Sequence, residues 1–283
     1  MIKRKMTKQT MIGQTQIAKR FVRLALVVLT CGFCLGSDAP GSSATSKLPD
    51  LLQRTREQMS EYLDRFSDVR CTERVVQEKF RNGKDKIDLK EESTYDYLVM
   101  LSNTGGELNL SESRLPVHQA KADKKNRSML VSNGFATLFL VFHPLYANSF
   151  EFNTAGEEVA NGHRLIKVAF RHIRGTRTPA ALALRGREYP LELSGTAWID
   201  TDTVVIARIS AGIDNTMVDV GLNTLQTDVE FVPVPFHDPE KTYWFPSRAI
   251  VEVETPRQHW RNTHEFTNYK RFEVSTEEQV ATK

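Results

Sequence analysis

Two Asn-Gly dipeptides constrain the fold of this chain more than any other feature. Asn82-Gly83 follows the run Val75 to Phe80, and Asn161-Gly162 separates Glu157–Val159 from the alternating stretch Arg164–Phe170. Asn-Gly accepts the positive φ that a two-residue turn demands, so each site predicts an antiparallel hairpin, the first with a partner strand from about Lys86. Further strand candidates are Tyr95–Leu101, Glu107–Ser111, Leu191–Ile199, Val204–Ala211, Asp228–Val232, Thr242–Glu254 and His264–Val274.

Two segments break this pattern. From Pro49 to Phe66 the apolar residues Leu51, Leu52, Met59, Tyr62, Leu63 and Phe66 recur at helical spacing, with Pro49 and Asp50 suited to a first turn. Residues 135–142 (FATLFLVF) are apolar nearly all round, with Ser132 and Asn133 available as caps and Pro144 beyond the end. That composition predicts a short helix covered on most sides, although a buried strand fits the same residues. Residues 118–128 are a solvated charged loop. An antiparallel sheet of this many strands buries one face either by closing into a barrel or by curling beneath the helices. The second arrangement leaves an apolar hollow. The expected fold class is therefore mostly β (α+β), a curved antiparallel half-barrel under an N-terminal helix and a short lid helix.

The first 23 residues hold seven Lys or Arg and no acid, and an apolar run from Leu24 to Leu35 follows. This is the order of a secretory leader, and about 12 apolar residues fall short of the roughly 20 that span a bilayer as a helix. Ser42-Ser43-Ala44 offers small residues for cleavage. The predicted organisation is a leader at 1–44, a flexible linker at 45–48, one β domain at 49–276 and a tail at 277–283, exported to the periplasm or beyond. Lipid attachment at Cys31 is disfavoured by bulky Leu29 and by Thr30. Without the leader, a net charge of +3 becomes −3, with 31 basic against 34 acidic residues. The basic character thus belongs to the leader, and no global case for nucleic-acid binding survives. Cys31 and Cys34 form a CxxC inside the leader, outside the βαβ context that a redox motif needs. Cys71 is left alone, a small buried hydrophobe by expectation, so the core must stabilise the domain without an internal disulfide.

No HExxH, GxSxG, Walker loop, SxxK or paired CxxC occurs in the mature region. The expectation is a protein that is not an enzyme and needs no cofactor. His259 and His264, five apart, fall on opposite faces of a strand and make a poor metal pair. Basic residues cluster at Arg171, His172, Arg174, Arg177, Arg185 and Arg187. Arginine forks suit lipid phosphate or other anionic head groups, while the plain alternative is a solvated connector between strands. Aromatics gather in Tyr243-Trp244-Phe245 and in Trp260, Phe266, Tyr269 and Phe272, where they either fill the core or rim a cavity.

Three stretches carry a family likeness. Val69-Arg70-Cys71-Thr72-Glu73 after the opening helix, Gly195-Thr196-Ala197-Trp198-Ile199-Asp200 with its return Val204–Ile209, and Tyr243-Trp244-Phe245-Pro246-Ser247-Arg248 resemble exported bacterial proteins related to the lipoprotein-sorting (LolA-like) superfamily. There a G-x-x-W-I-D strand, a return strand and a W-F-P-S-R strand recur in this order. The likeness covers most of residues 48–274. It implies a curved half-barrel whose long N-terminal helix and helical lid enclose an apolar cavity for lipid or acyl chains. Against that pattern the basic 174–188 segment looks like an insertion.

The first functional expectation is a non-enzymatic envelope protein that binds a lipid, an acyl chain or a lipoprotein. Phe135, Leu138, Phe139 and Phe142 are expected on the cavity wall, Trp198 and Trp244 as further ligand-binding residues, and Arg174, Arg177, Arg185 and Arg187 at anionic head groups or a membrane surface. Two rivals stand beside it. An envelope scaffold with a filled core would contain no sizeable cavity, and a hydrolase with dispersed acids would bring two or more carboxylates together in a cleft.

Overall fold

The computed structural model describes residues 47–66, 69–81, 86–104, 107–117, 135–160, 162–184, 187–236 and 242–271. The chain divides into Met1–Pro40 and a compact unit from Gly41 to Lys283, and every described residue belongs to the second. The predicted leader, the cleavage site, the 118–128 loop, Phe272 and the 277–283 tail lie outside the described residues.

Helix α1 spans Lys47–Phe66. It therefore begins inside the stretch expected as a flexible linker, because Lys47 and Leu48 add helical residues ahead of Pro49. Leu51, Thr55, Met59 and Leu63 are buried at intervals of four, together with Leu52, and form the stripe that faces the sheet. Thr55 satisfies its hydroxyl inside this apolar stripe by donating to the Leu51 carbonyl at 2.8 Å.

The strands are β1 (Val69–Phe80), β2 (Ile87–Thr104), β3 (Glu107–Pro116), β4 (Phe150–Ala160), β5 (His163–His172), β6 (Ala181–Leu184), β7 (Arg187–Pro190), β8 (Leu193–Asp200), β9 (Ile206–Ile213), β10 (Thr224–Pro235), β11 (Thr242–Glu254) and β12 (His259–Arg271). Ten of them form one sheet in the order β3-β2-β1-β12-β11-β10-β9-β8-β5-β4. Each neighbouring pair is antiparallel. β3 and β4 stand at the two ends of this order, so the sheet curls without closing. β6 and β7 form a separate hairpin.

Both Asn-Gly hairpins are where the sequence puts them. β1 and β2 meet at Phe80↔Ile87, and β4 and β5 at Ala160↔His163, where Gly162 takes φ +82°. The strand expected from Lys86 and the one expected at Tyr95–Leu101 are a single element, β2. No turn residue interrupts Lys90–Thr94, and cross-strand pairing with β1 runs through it.

Residues 135–142 form a 3-10 helix, and a four-residue helix α2 (Pro144–Ala147) follows directly. The 3-10 helix packs against α1, β9, β10 and β11. Leu138 to Phe142 are all buried, as an all-apolar segment beneath a cover requires. Phe142 meets Phe152 and Phe170, whose ring centroids lie 5.2 and 6.1 Å away.

Strand β8 shows why its motif has the residues it has. Ala197 and Ile199 point into the core and are fully buried, while Trp198 between them faces the other side of the sheet. Gly195 sits opposite Ala211. A Cβ there would stand 2.0 Å from the Ser210 carbonyl oxygen and 2.8 Å from Phe170 Cζ, so no larger residue fits.

Candidate functional site

A pocket of about 410 Å³ lies between α1, the 3-10 helix, the β8–β9 turn and strands β10 and β11. Met59, Tyr62, Phe139, Val204, Ile206, Phe231, Tyr243 and Trp244 supply apolar wall; Gln58, Glu61, Thr203 and Thr242, all exposed, mark where it reaches the surface. Aromatic packing fixes one side: Tyr62 meets Phe139 edge-on at 5.2 Å and Phe245 at 5.8 Å, and Phe245 stacks on Tyr269 at 5.0 Å. Phe245 itself is buried behind the wall, and the imidazole of His163 packs edge-on against Trp244 at 5.7 Å.

The β8–β9 turn is built by Asp200, whose side chain is fully buried. Its Oδ1 accepts from the backbone N–H of Asp202 at 2.9 Å and of Thr203 at 2.8 Å, and its Oδ2 accepts from His163 Nδ1 at 2.6 Å. Burial alone would raise the Asp200 pKa. The backbone donors of Thr203 and Asp202, with His163, outweigh it and hold the carboxyl below its ordinary 3.8. The turn carries Val204 into the pocket wall at φ +60°, a left-handed conformation that a β-branched residue rarely adopts. The return strand accordingly starts at Ile206 and not at Val204 as expected, since Val204 and Val205 belong to this turn and to the pocket lining.

The expected wall residues separate into groups. Phe139 and Trp244 line the pocket. Leu138 and Phe142 are buried in the core around it. Phe135 opens the 3-10 helix, and its side chain lies outside the described residues. Trp198 stands among charges on the other face: its Nε1–H donates to Glu158 at 3.2 Å, Arg208 lies 4.7 Å from its ring centroid and Lys167 5.9 Å. Sequence reading missed Thr203, Val204, Val205 and Ile206 as lining residues, and no signal short of the turn geometry marks them; it also missed Thr55, which the four-residue spacing of the α1 stripe could have found.

A second cluster, of charges, lies under the opposite flank of the sheet. Glu73 on β1 is fully buried and receives Arg114 of edge strand β3 at 2.5 and 3.0 Å and His264 Nδ1 of β12 at 2.7 Å. Glu112 pairs with the same guanidinium at 3.1 Å. Burial works to raise the Glu73 pKa, but the hydrogen bonds from His264 and Arg114 prevail and leave it below 4.5. This arrangement ties β3, β1 and β12 together across β2. Its two carboxylates converge on an arginine and not on a cleft. In the pocket, Glu61 is the acidic residue among the described lining residues.

Cys71 is buried, and desolvation pushes its thiol up to about 12. His264 sits inside beside Glu73, whereas His259 stacks on Phe80 at 4.6 Å on the other face. Among the described residues no group of His, Cys, Asp or Glu is placed to hold a metal ion. No helix among the described residues is long and apolar enough to cross a membrane.

No family model matches this chain, and no curated protein matches it in sequence. Solved structures do. A DUF1329 family protein from Desulfovibrio piger is 14% identical, over 81% of this chain and 92% of its own, with a TM-score of 0.39. A LolA superfamily protein from Nitrosomonas europaea is 12% identical, over 79% and 94%, with a TM-score of 0.35. The LolA superfamily, which the three sequence motifs resemble, is thus among the groups whose structures this chain matches.

Proposed function

We propose that this protein is an exported, non-enzymatic binding protein that holds an apolar ligand, whether a free lipid, an acyl chain or the acyl group of a lipoprotein, in the pocket beneath α1 and the 3-10 helix. The single observation that carries the reading is the pocket itself. Its volume of about 410 Å³ falls in the range of small-molecule sites, and its inner wall is aromatic and aliphatic apart from Thr55, whose hydroxyl is satisfied by the Leu51 carbonyl. A scaffold with a filled core would leave no such space. Hydrolysis would need acids converging in the cleft, and the pair Glu73 and Glu112 is instead bound to Arg114 away from the pocket. The basic, apolar order of residues 1–35 supports export.

Two measurements test the proposal. Gentle purification followed by mass spectrometry of the organic extract should yield stoichiometric lipid, and delipidated protein should bind a fluorescent fatty acid. Absence of both would defeat it.

A further inference from the structure

The segment between β5 and β8 is rich in arginine and carries the separate β6–β7 hairpin. Residues 171–192 contain five arginines, no lysine and two acids, Glu188 and Glu192. Within it β6 and β7 pair only with each other, braced at their base by Leu191 N–H to the Ala180 carbonyl at 3.0 Å and by Thr178 Oγ1 to the Leu191 carbonyl at 2.8 Å. Arg174 reaches Glu192 at 3.1 Å and Arg171 reaches Asp214 at 3.2 Å, yet both remain largely exposed, as do Arg177 and Arg187. Arg185 lies outside the described residues.

Topology brings exposed apolar residues to the same end of the sheet. The pairing Leu193↔Ile213 sets the start of β8 beside the end of β9, and Arg171 and Ser194 both contact Asp214. The β9–β10 connection therefore emerges next to the hairpin, and its 3-10 turn (Val218–Val220) holds Val218 80% exposed. Ile173, at the end of β5, is 38% exposed. The pocket lies toward the other end, at the β8–β9 turn.

We propose that Arg174, Arg177 and Arg187, with Ile173 and Val218, form a docking surface for a membrane of anionic phospholipid. Guanidinium forks match phosphate in two-point geometry, which an ammonium cannot do, and the exclusive use of arginine fits that chemistry. Water-exposed isoleucine and valine beside the forks gain by entering the boundary between head groups and acyl chains, so charge and apolar contact act on one partner. A soluble anion would use the arginines and leave the apolar pair idle.

The test uses protein beginning at Gly41, the start of the compact unit, so that the basic leader contributes nothing. Flotation with vesicles of phosphatidylethanolamine and phosphatidylglycerol is compared with vesicles of phosphatidylcholine alone. The anionic vesicles should carry the protein with them, less so as salt is raised, and the zwitterionic ones should not. Each arginine near such a surface contributes about a 5-fold affinity factor, so R177Q/R187Q should weaken vesicle binding about 25-fold. Arg54→Gln, on exposed α1 surface, should change nothing, and binding of a fluorescent acyl probe to the pocket should be unaltered in R177Q/R187Q. That last readout separates this surface from the pocket reading, which can fail independently. Equal flotation with both vesicle types, parental binding by R177Q/R187Q, or binding of inorganic phosphate without vesicle binding would each overturn the proposal.

Discussion

Replacing Asp200 with alanine tests whether a buried carboxylate shapes the pocket. The side chain holds three donors, the N–H groups of Asp202 and Thr203 and His163 Nδ1. Hydrogen bonds to a charged acceptor contribute about 1.5–3 kcal/mol each where water cannot substitute. Asp202 and Thr203 are exposed, so water recovers part of both backbone bonds and the loss is nearer about 1 kcal/mol apiece. With the His163 contact, the bonds lost in Asp200→Ala amount to about 3 kcal/mol, and those lost in Asp200→Asn, which keeps an acceptor oxygen, to about 1 kcal/mol. The same turn holds Val204 at φ +60°, a conformation costing roughly 1–2 kcal/mol for a residue with a Cβ. Without Asp200 that strain releases and offsets part of the loss, bringing the net cost of Asp200→Ala to about 1–2 kcal/mol, while Val204 and Val205 leave the wall and probe affinity falls. Urea unfolding gives the first quantity and fluorescence titration the second. The sign with pH follows from the depressed pKa: the contribution is complete above the ordinary 3.8 and is lost as pH falls through the lower folded value. The gap between parent and Asp200→Ala should therefore narrow in acid. A neutral-pH difference under about 0.5 kcal/mol, the scatter of an indifferent surface change, would refute the reasoning, as would a gap that acid leaves unchanged.

Other positions give shorter tests. Gln58→Trp, at the exposed rim of the pocket, should leave the urea midpoint within about 0.5 kcal/mol of the parent while lowering acyl-probe affinity at least several-fold. Gly195→Ala forces a methyl against the Ser210 backbone and should cost about 3 kcal/mol or prevent folding, read as a drop in the thermal midpoint. Glu73→Ala strips Arg114 and His264 of their buried partner and should cost about 3 kcal/mol in urea. Because the Glu73 pKa is depressed, its contribution is present above 4.5 and lost as pH falls through the folded value, so parent and variant should converge in acid.

Local chemistry made the strands legible. Asn161-Gly162 announces its own turn, and the alternation after it fixes which residues of β5 face inward. The stripe of Leu51, Met59 and Leu63 did the same for α1. The 135–142 segment was readable as buried because no face of it is polar. What could not be read depends on contacts distant in sequence. Nothing near Glu73 forecasts that Arg114, 41 positions on, and His264, 191 positions on, will close over it. Val204 looks like the first residue of a strand, and only the buried Asp200 makes it a turn residue in the pocket wall. Trp198 sits in a motif whose aromatic invites a ligand role, yet strand parity aims it at Arg208 and Lys167. Likewise the 171–192 arginines are plain in the sequence, whereas Val218 joins them only through the β8–β9 register.

Affinity as a function of ligand chain length tests the central claim most directly. Saturated alkyl chains of increasing length, displacing a fluorescent acyl probe from delipidated protein, should bind about 4-fold more tightly for each added methylene, the factor corresponding to about 0.8 kcal/mol of buried CH₂. The rise should stop when the pocket is full, and Gln58→Trp should shift the whole series to weaker binding. Affinities that ignore chain length, or no displacement at any length, would contradict an apolar pocket that takes up a ligand.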